Sequence, residues 1–189
     1  ACWVKHENHT PVGAFKVRGG LTYFEHLRST GQLPQTVISA TRGNHGQSIA
    51  YAAARHGVAC TIVVPKGNSS EKNAAMRTLG AHLIEHGHDF QAAREHAQSM
   101  ALDQGLHMVP SFHPALVLGV ATAWLEFLRA VPALDVLYVP IGLGSGACAA
   151  LAATSVPVTG TRALSSGVTV TGMPGCRPPG SPSGRRWVT

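Results

Sequence analysis

From residue 36 onward, apolar and polar positions fall into short blocks whose period switches between that of a strand and that of a helix. Thr36 to Ala40, TVISA, is a brief apolar run that predicts a buried strand. Behind the polar turn TRGNHG, Gln47 to His56 repeats small residues at helical spacing and predicts a packed helix. ACTIVVP predicts a second strand, stopped by Pro65, which has no N–H to give to a ladder. SSEKNAAMRTLGA predicts a helix begun by Ser69 or Ser70, with Glu71 in its first turn and Ala75, Met76 and Leu79 following. HLIEHG is a third short strand, and DFQAAREHAQSMALDQG a helix closed by Gly105. PALVLGVATAWLEFLRA predicts a helix with large apolar residues on one face. DVLYVPIGLGSGACAALAA predicts a strand, a glycine-rich turn and the start of another helix.

Strands alternating with helices of about 10–15 residues imply βαβ units, so the expected class is α/β with parallel sheets and flanking helices. Ligands of such sheets sit beyond the carboxyl ends of the strands. TRGNHG and IGLGSG both follow expected strands and precede expected helices, which places them where chemistry belongs. After Asp135 no acidic residue occurs through Thr189, and from about Ser155 the text is Gly, Pro, Ser, Thr, Arg and Val without usable period. One reading of residues 155–189 is a linker-like tail. The other is a frame-shifted continuation, which the abrupt change inside an expected helix favours. Neither gives that stretch a fold.

Composition narrows the function. The chain has 189 residues, 44% of them hydrophobic, enough to bury a core. Fifteen basic against nine acidic residues give a net charge of +6, but the basic residues are scattered and aromatics make up only 6%. That argues against a nucleic-acid surface and suits a phosphorylated small molecule. The cysteines, Cys2, Cys60, Cys148 and Cys176, form no CxxC pair, which points to a reducing, cytoplasmic setting. No signal peptide or membrane span is expected. His86 and His88 lie beside Asp89 without a further ligand group, so they read as solvated loop histidines and no metal is assigned.

Three turns carry the candidate chemistry. Gly142, Leu143, Gly144, Ser145 and Gly146 stand at an expected helix start, where backbone N–H groups and the helix end favour a phosphate. A dinucleotide fingerprint would use the same letters, since Gly142, Gly144 and Ala147 echo GxGxxG. It would also need an acidic residue about 20 positions on, and none follows. Thr41, Gly43, Asn44 and His45 form a turn that suits a carboxylate or a ring hydroxyl; a polar helix cap is the plainer alternative. Lys16 lies in TPVGAFKVRGG, directly after Phe15 and among small residues. A lysine desolvated there and near other cations has a depressed pKa, which makes its amine a usable nucleophile and base. A lysine imine, a phosphate cup and ring contacts are together what pyridoxal 5'-phosphate requires.

With these motifs in order, the chain resembles the threonine/serine dehydratase branch of the fold-type II pyridoxal-phosphate enzymes, the tryptophan synthase β-like group. ENHTPVGAFKVRGG resembles the family's lysine motif, SATRGNHGQS its S-x-G-N-H-G-Q motif, and VPIGLGSGACA its phosphate loop. VVPKGNSSEKNAAMRTLGAHLIEHGHDF follows the pattern of the segment between them, and the likeness runs from about Cys2 to Ala150. The resemblance implies that Lys16 carries the cofactor and moves the Cα proton, that Phe15 flanks the pyridine ring, and that Asn44 bonds its 3-hydroxyl. It implies that Thr41, Gly43, Asn44 and His45 hold the substrate carboxylate and that Gly142 to Gly146, with Leu143 and Ser145, hold the phosphate. FKVRGG and GNHG resemble dehydratases rather than cysteine synthases, whereas Arg42 stands where the family has a small residue.

The implied reaction is β-elimination, L-threonine to 2-oxobutanoate and ammonia or L-serine to pyruvate and ammonia. The alternatives are a non-catalytic truncated piece of such an enzyme and a related racemase. The resemblance divides the chain into a partial large lobe, residues 1–36 and 116–154, and a small lobe, residues 37–115. It also implies that the opening strand and helix, the group on the pyridine nitrogen and the family's cation site all fall outside this sequence. A small amino-acid substrate and, for the complete protein, a homodimer are the expected partners, with neither nucleic acid nor membrane.

Overall fold

The computed structural model describes residues 2–155, so Cys176 and all but the first residue of the tail lie outside it. Within them the chain forms α1 (Lys16–Ser29), β1 (Thr36–Ala40), α2 (Asn44–Arg55), β2 (Ala59–Val64), α3 (Ser70–Thr78) and β3 (His82–Glu85). It continues through α4 (Phe90–Gln104), β4 (His107–Met108), α5 (Pro114–Ala130) and α6 (Ser145–Thr154). The four strands make one parallel sheet in the order β3-β2-β1-β4. The α/β class with flanking helices is therefore as expected.

Contacts divide the chain into two compact units, one of them His6–Gly119. In that unit the pleat of β1 sends alternate residues to opposite faces of the sheet. Val37 joins Phe24, Leu27, Ile49, Ile62 and Met76 in a core that draws on α1, α2 and α3. Ile38 and Ala40 join Val63 and a row of α4 alanines, Ala93, Ala97 and Ala101. A sheet covered on both sides explains why TVISA and ACTIVV are apolar runs rather than alternating ones. Where a helix must come close, small side chains stand: a Cβ on Gly20 would collide with Ser48 of α2, and one on Gly119 with the Arg18 carbonyl.

Most boundaries follow local chemistry. The Ser69 side chain caps α3 by accepting from the Lys72 N–H at 3.4 Å, and the Asp89 carboxylate caps α4 by accepting from the Ala92 N–H at 2.8 Å. Gly105 ends α4 with φ +62°, the left-handed conformation that favours glycine. Two elements were not expected. α1 is hidden in the sequence because Gly19 and Gly20 lower helix propensity in its first turns. β4 is only two residues long and pairs with Val37 and Ile38 of β1.

The second unit comprises residues 2–5 and 120–155 of the described chain. Here one expectation fails: DVLYVP is not a strand. Leu137 and Val139 are buried while Val136 and Tyr138 are 47% and 69% exposed, so the in-and-out alternation of a strand is present. No continuous ladder forms on it among the described residues; Ile141 alone makes an isolated bridge. A strand needs a neighbour for its N–H and C=O groups, and a hydrophobic pattern cannot supply one. Leu137 and Val139 instead pack with Ala147, Ala150, Trp124 and Phe127.

Candidate active site

The lysine of the quoted motif is the first residue of α1, with Phe15 as its cap. Its Nζ lies 5.6 Å from the centroid of the Phe15 ring. The helix start is fixed from α2: the Ser48 hydroxyl donates to the Lys16 carbonyl at 2.6 Å. Glu7 holds the same helix from the chain before it, through a two-pronged pair with Arg18 at 2.8 and 3.0 Å. Burial lowers the Lys16 pKa below the usual lysine value, because the uncharged amine is the form that tolerates desolvation.

The turn TRGNHG runs from the carboxyl end of β1 into α2, and its shape rests on one buried hydroxyl. Thr41, 4% exposed, accepts the N–H of Gly43 at 3.0 Å and that of Gly46 at 3.2 Å. Those bonds use two of the donors that a helix start leaves over, and Gln47 donates to the Gly43 carbonyl. The N–H groups of Asn44 and His45 keep no partner among the described residues. Gly46 is glycine for want of room: a Cβ there would strike the Thr41 methyl and the Met76 sulfur.

His45 is the electrostatic companion of Lys16. Its pKa falls to about 4, first through burial and then through the Lys16 cation, so the ring is neutral at pH 7. Its Nε2 lies 3.4 Å from the Ser39 hydroxyl, which is 3.0 Å from the Val109 carbonyl. A carbonyl only accepts, so the Ser39 proton goes to Val109 and the hydroxyl accepts from Nε2–H. That assignment leaves Nδ1 of His45 with a free lone pair. Sequence reasoning singled out His45 but not Ser39, whose only sign was a polar residue inside an apolar strand.

Among the remaining expected residues, Asn44 is exposed at the first position of α2 and Gly43 is its buried cap. The glycine turn belongs to the second unit. Gly144, with φ +91°, caps α6, and Ser145 and Gly146 are buried in its first turn. Gly142 and Leu143 are exposed, and a Cβ built on Gly142 or Gly144 would meet nothing within 4 Å. An open, left-handed glycine at a helix start is a fit seat for a phosphate, and a desolvated lysine beside an aromatic ring fits an aldehyde cofactor.

The family model for pyridoxal-phosphate dependent enzymes matches residues 1–177, past Ala150, where the motifs quoted above end. The chain belongs to this family. Over 150 residues it is 39% identical to the biosynthetic L-threonine dehydratase of Salmonella typhimurium, covering 79% of this chain and 29% of that protein. Over 143 residues it is 35% identical to the L-threo-3-hydroxyaspartate ammonia-lyase of Saccharomyces cerevisiae, covering 75% of this chain and 44% of that protein. The chain thus spans less than half the length of either relative. Among solved structures it is similar to a pyridoxal 5'-phosphate-dependent aspartate racemase, with TM-score 0.77 and 28% identity over 88% of this chain and 49% of that one. It is also similar to the processed threonine deaminase isoform 2 of Solanum lycopersicum, with TM-score 0.74 and 27% identity over 88% of this chain and 47% of that one. Family members depend on pyridoxal phosphate.

Two groups lie outside the candidate site, the histidines around Asp89 and the cysteines. His88 is exposed and 3.4 Å from Asp89, while the His86 ring stacks on His96 with centroids 3.7 Å apart. Among the described residues Cys2, Cys60 and Cys148 are free thiols, and burial pushes the Cys60 pKa up to about 12. No helix of the described residues is long and apolar enough to cross a membrane.

Proposed function

We propose that this chain carries the lysine-bearing site of a pyridoxal-phosphate-dependent ammonia-lyase acting on L-threonine or L-serine. The products would be 2-oxobutanoate or pyruvate, with ammonia. The observation that carries this reading is Lys16 itself, an amine at a helix start with its pKa lowered by burial and a neutral histidine beside it. The relatives' dehydratase and ammonia-lyase names support it.

When bound, pyridoxal phosphate supplies an electron sink for the charge left at Cα. The protein's own part begins with Lys16, whose neutral amine removes the Cα proton; the depressed pKa keeps that base unprotonated in a larger fraction of molecules near neutral pH. His45 stays uncharged, so it competes with Lys16 neither for a proton nor for a counter-ion. The Asn44 and His45 N–H groups and the Thr41 O–H are the donors offered to the substrate carboxylate. Gly43 shapes that seat, since its own N–H is committed to Thr41. With the cofactor bound, the Asn44 amide would be the partner of its ring hydroxyl, Phe15 would flank the ring, and Gly142 to Gly146, with Leu143 and Ser145, would hold the phosphate. The reading includes the lobe division at residues 37 and 115, a homodimer for the complete protein and a cytoplasmic location, the last supported by the free thiols.

The test is release of 2-oxo acid from L-threonine and from L-serine by the purified, cofactor-supplied chain, beside a Lys16→Ala control and with loss of optical rotation followed in parallel. Release that vanishes in the control supports the lyase reading. Racemisation without 2-oxo acid would assign the site to a racemase, and neither activity would make this chain non-catalytic by itself.

A further inference from the structure

A carboxylate seat built from Asn44 and His45 N–H groups and one hydroxyl holds partial charges only. His45 is neutral, and the Lys16 amine is the group that reacts. The seat therefore calls for a lasting cation, and α3 brings one to it. Met76 and Lys72 are four residues apart, hence on one face of that helix. Met76 is fully buried against Gly46, which sets the face of α3 that turns toward the start of α2. One turn earlier the Lys72 side chain lies over Gly43: a Cβ built on that glycine would be 2.6 Å from Lys72 Cδ and 3.0 Å from its Nζ. The helix is held in place around it. Ser69 caps it, and buried Asn73 accepts from the Asn68 amide at 2.6 Å and donates to Glu85 at 3.4 Å. Lys72 makes no ion pair among the described residues.

We propose that Lys72 is a substrate-binding residue, its ammonium facing the carboxylate that the Asn44 and His45 N–H groups receive. This rests on the lyase reading of the site. It also gives Gly43 a reason to be glycine: the Lys72 stem occupies the space a side chain would take. The cation is supplied from a different helix than the N–H donors, so the seat is completed by the packing of α3 on the turn. Arg42, exposed on the same turn, is the natural comparison, since a general effect of positive charge would appear there too.

The experiment titrates the cofactor-supplied chain with L-threonine and with L-threoninol, which lacks the carboxylate, following the cofactor's absorbance. Lys72→Met should weaken L-threonine about tenfold and leave L-threoninol unchanged, with Lys72→Arg keeping the original preference and Arg42→Met giving a smaller loss. Equal weakening of both ligands, or no weakening of either, overturns the role of Lys72. If the unsubstituted chain gives no spectral response to L-threonine, the lyase reading falls and this inference with it.

Discussion

The two turns, TRGNHG and IGLGSG, use one device, a helix start following an extended segment, yet they are built in opposite ways. The first is braced. Thr41 takes two of its N–H groups, Met76 and Ile62 crowd Gly46, and the β1 segment before it sits in the middle of a sheet. The second is open. Gly142 and Gly144 face empty space, and the segment before the turn, residues 136–140, lacks a strand ladder among the described residues. A seat for a small carboxylate needs donors held within tenths of an ångström, so packing around it matters. A turn of several glycines reaches its shape through backbone freedom, and its neighbours matter less.

On that contrast, perturbing the braced turn costs more stability than perturbing the open one. The largest effect should come from protonating His45. Its folded pKa, about 4, lies below the ordinary value of 6.5, so the unfolded chain binds more protons between those limits. Stability therefore rises with pH across that window and is lost as pH falls through it, by up to about 3 kcal/mol. Urea unfolding at pH 7 and pH 4.5 measures the loss, and His45→Gln should flatten it; an unchanged slope would show that other groups carry the dependence. Next comes Gly46→Ala, which forces a methyl against Thr41 and Met76 and should cost about 1–3 kcal/mol at pH 7. Smaller again, Gly144→Ala should cost about 1 kcal/mol, through its φ of +91° and not through crowding. Gly142→Ala has room for its methyl and should lie within about 0.5 kcal/mol of the unsubstituted chain. A Gly142 cost matching that of Gly46 would erase the distinction between the turns.

What could be read in the sequence follows the same division. Elements with a complete local pattern, such as TVISA, ACTIVV and the helix closed by Gly105, form where expected, because burial on both faces or a cap leaves a mark in the residues themselves. α1 was missed because Gly20 answers to Ser48 of another helix, a contact that no local pattern records. DVLYVP failed in the reverse direction: the alternation is real, but pairing is a property of two segments. In the site, Lys16 and the two turns stood out through their residue types. Thr41 was legible as a member of the candidate turn but not as its scaffold, since nothing in the letters says that its oxygen accepts from Gly43 and Gly46. The place of Lys72 beside Gly43, on which the proposed role rests, was invisible because Lys72 reads as one more solvated lysine until α3 is docked.

The central claim is that Lys16 is singled out among the lysines by its setting. The direct measurement is borohydride reduction of the chain mixed with pyridoxal phosphate, followed by mass spectrometry of its peptides, with Lys16→Ala alongside. The account predicts one dominant modified site, on the peptide holding Lys16, and a yellow absorbance band that the substitution removes. Modification spread over exposed lysines such as Lys66 and Lys72, unchanged by Lys16→Ala, would contradict it.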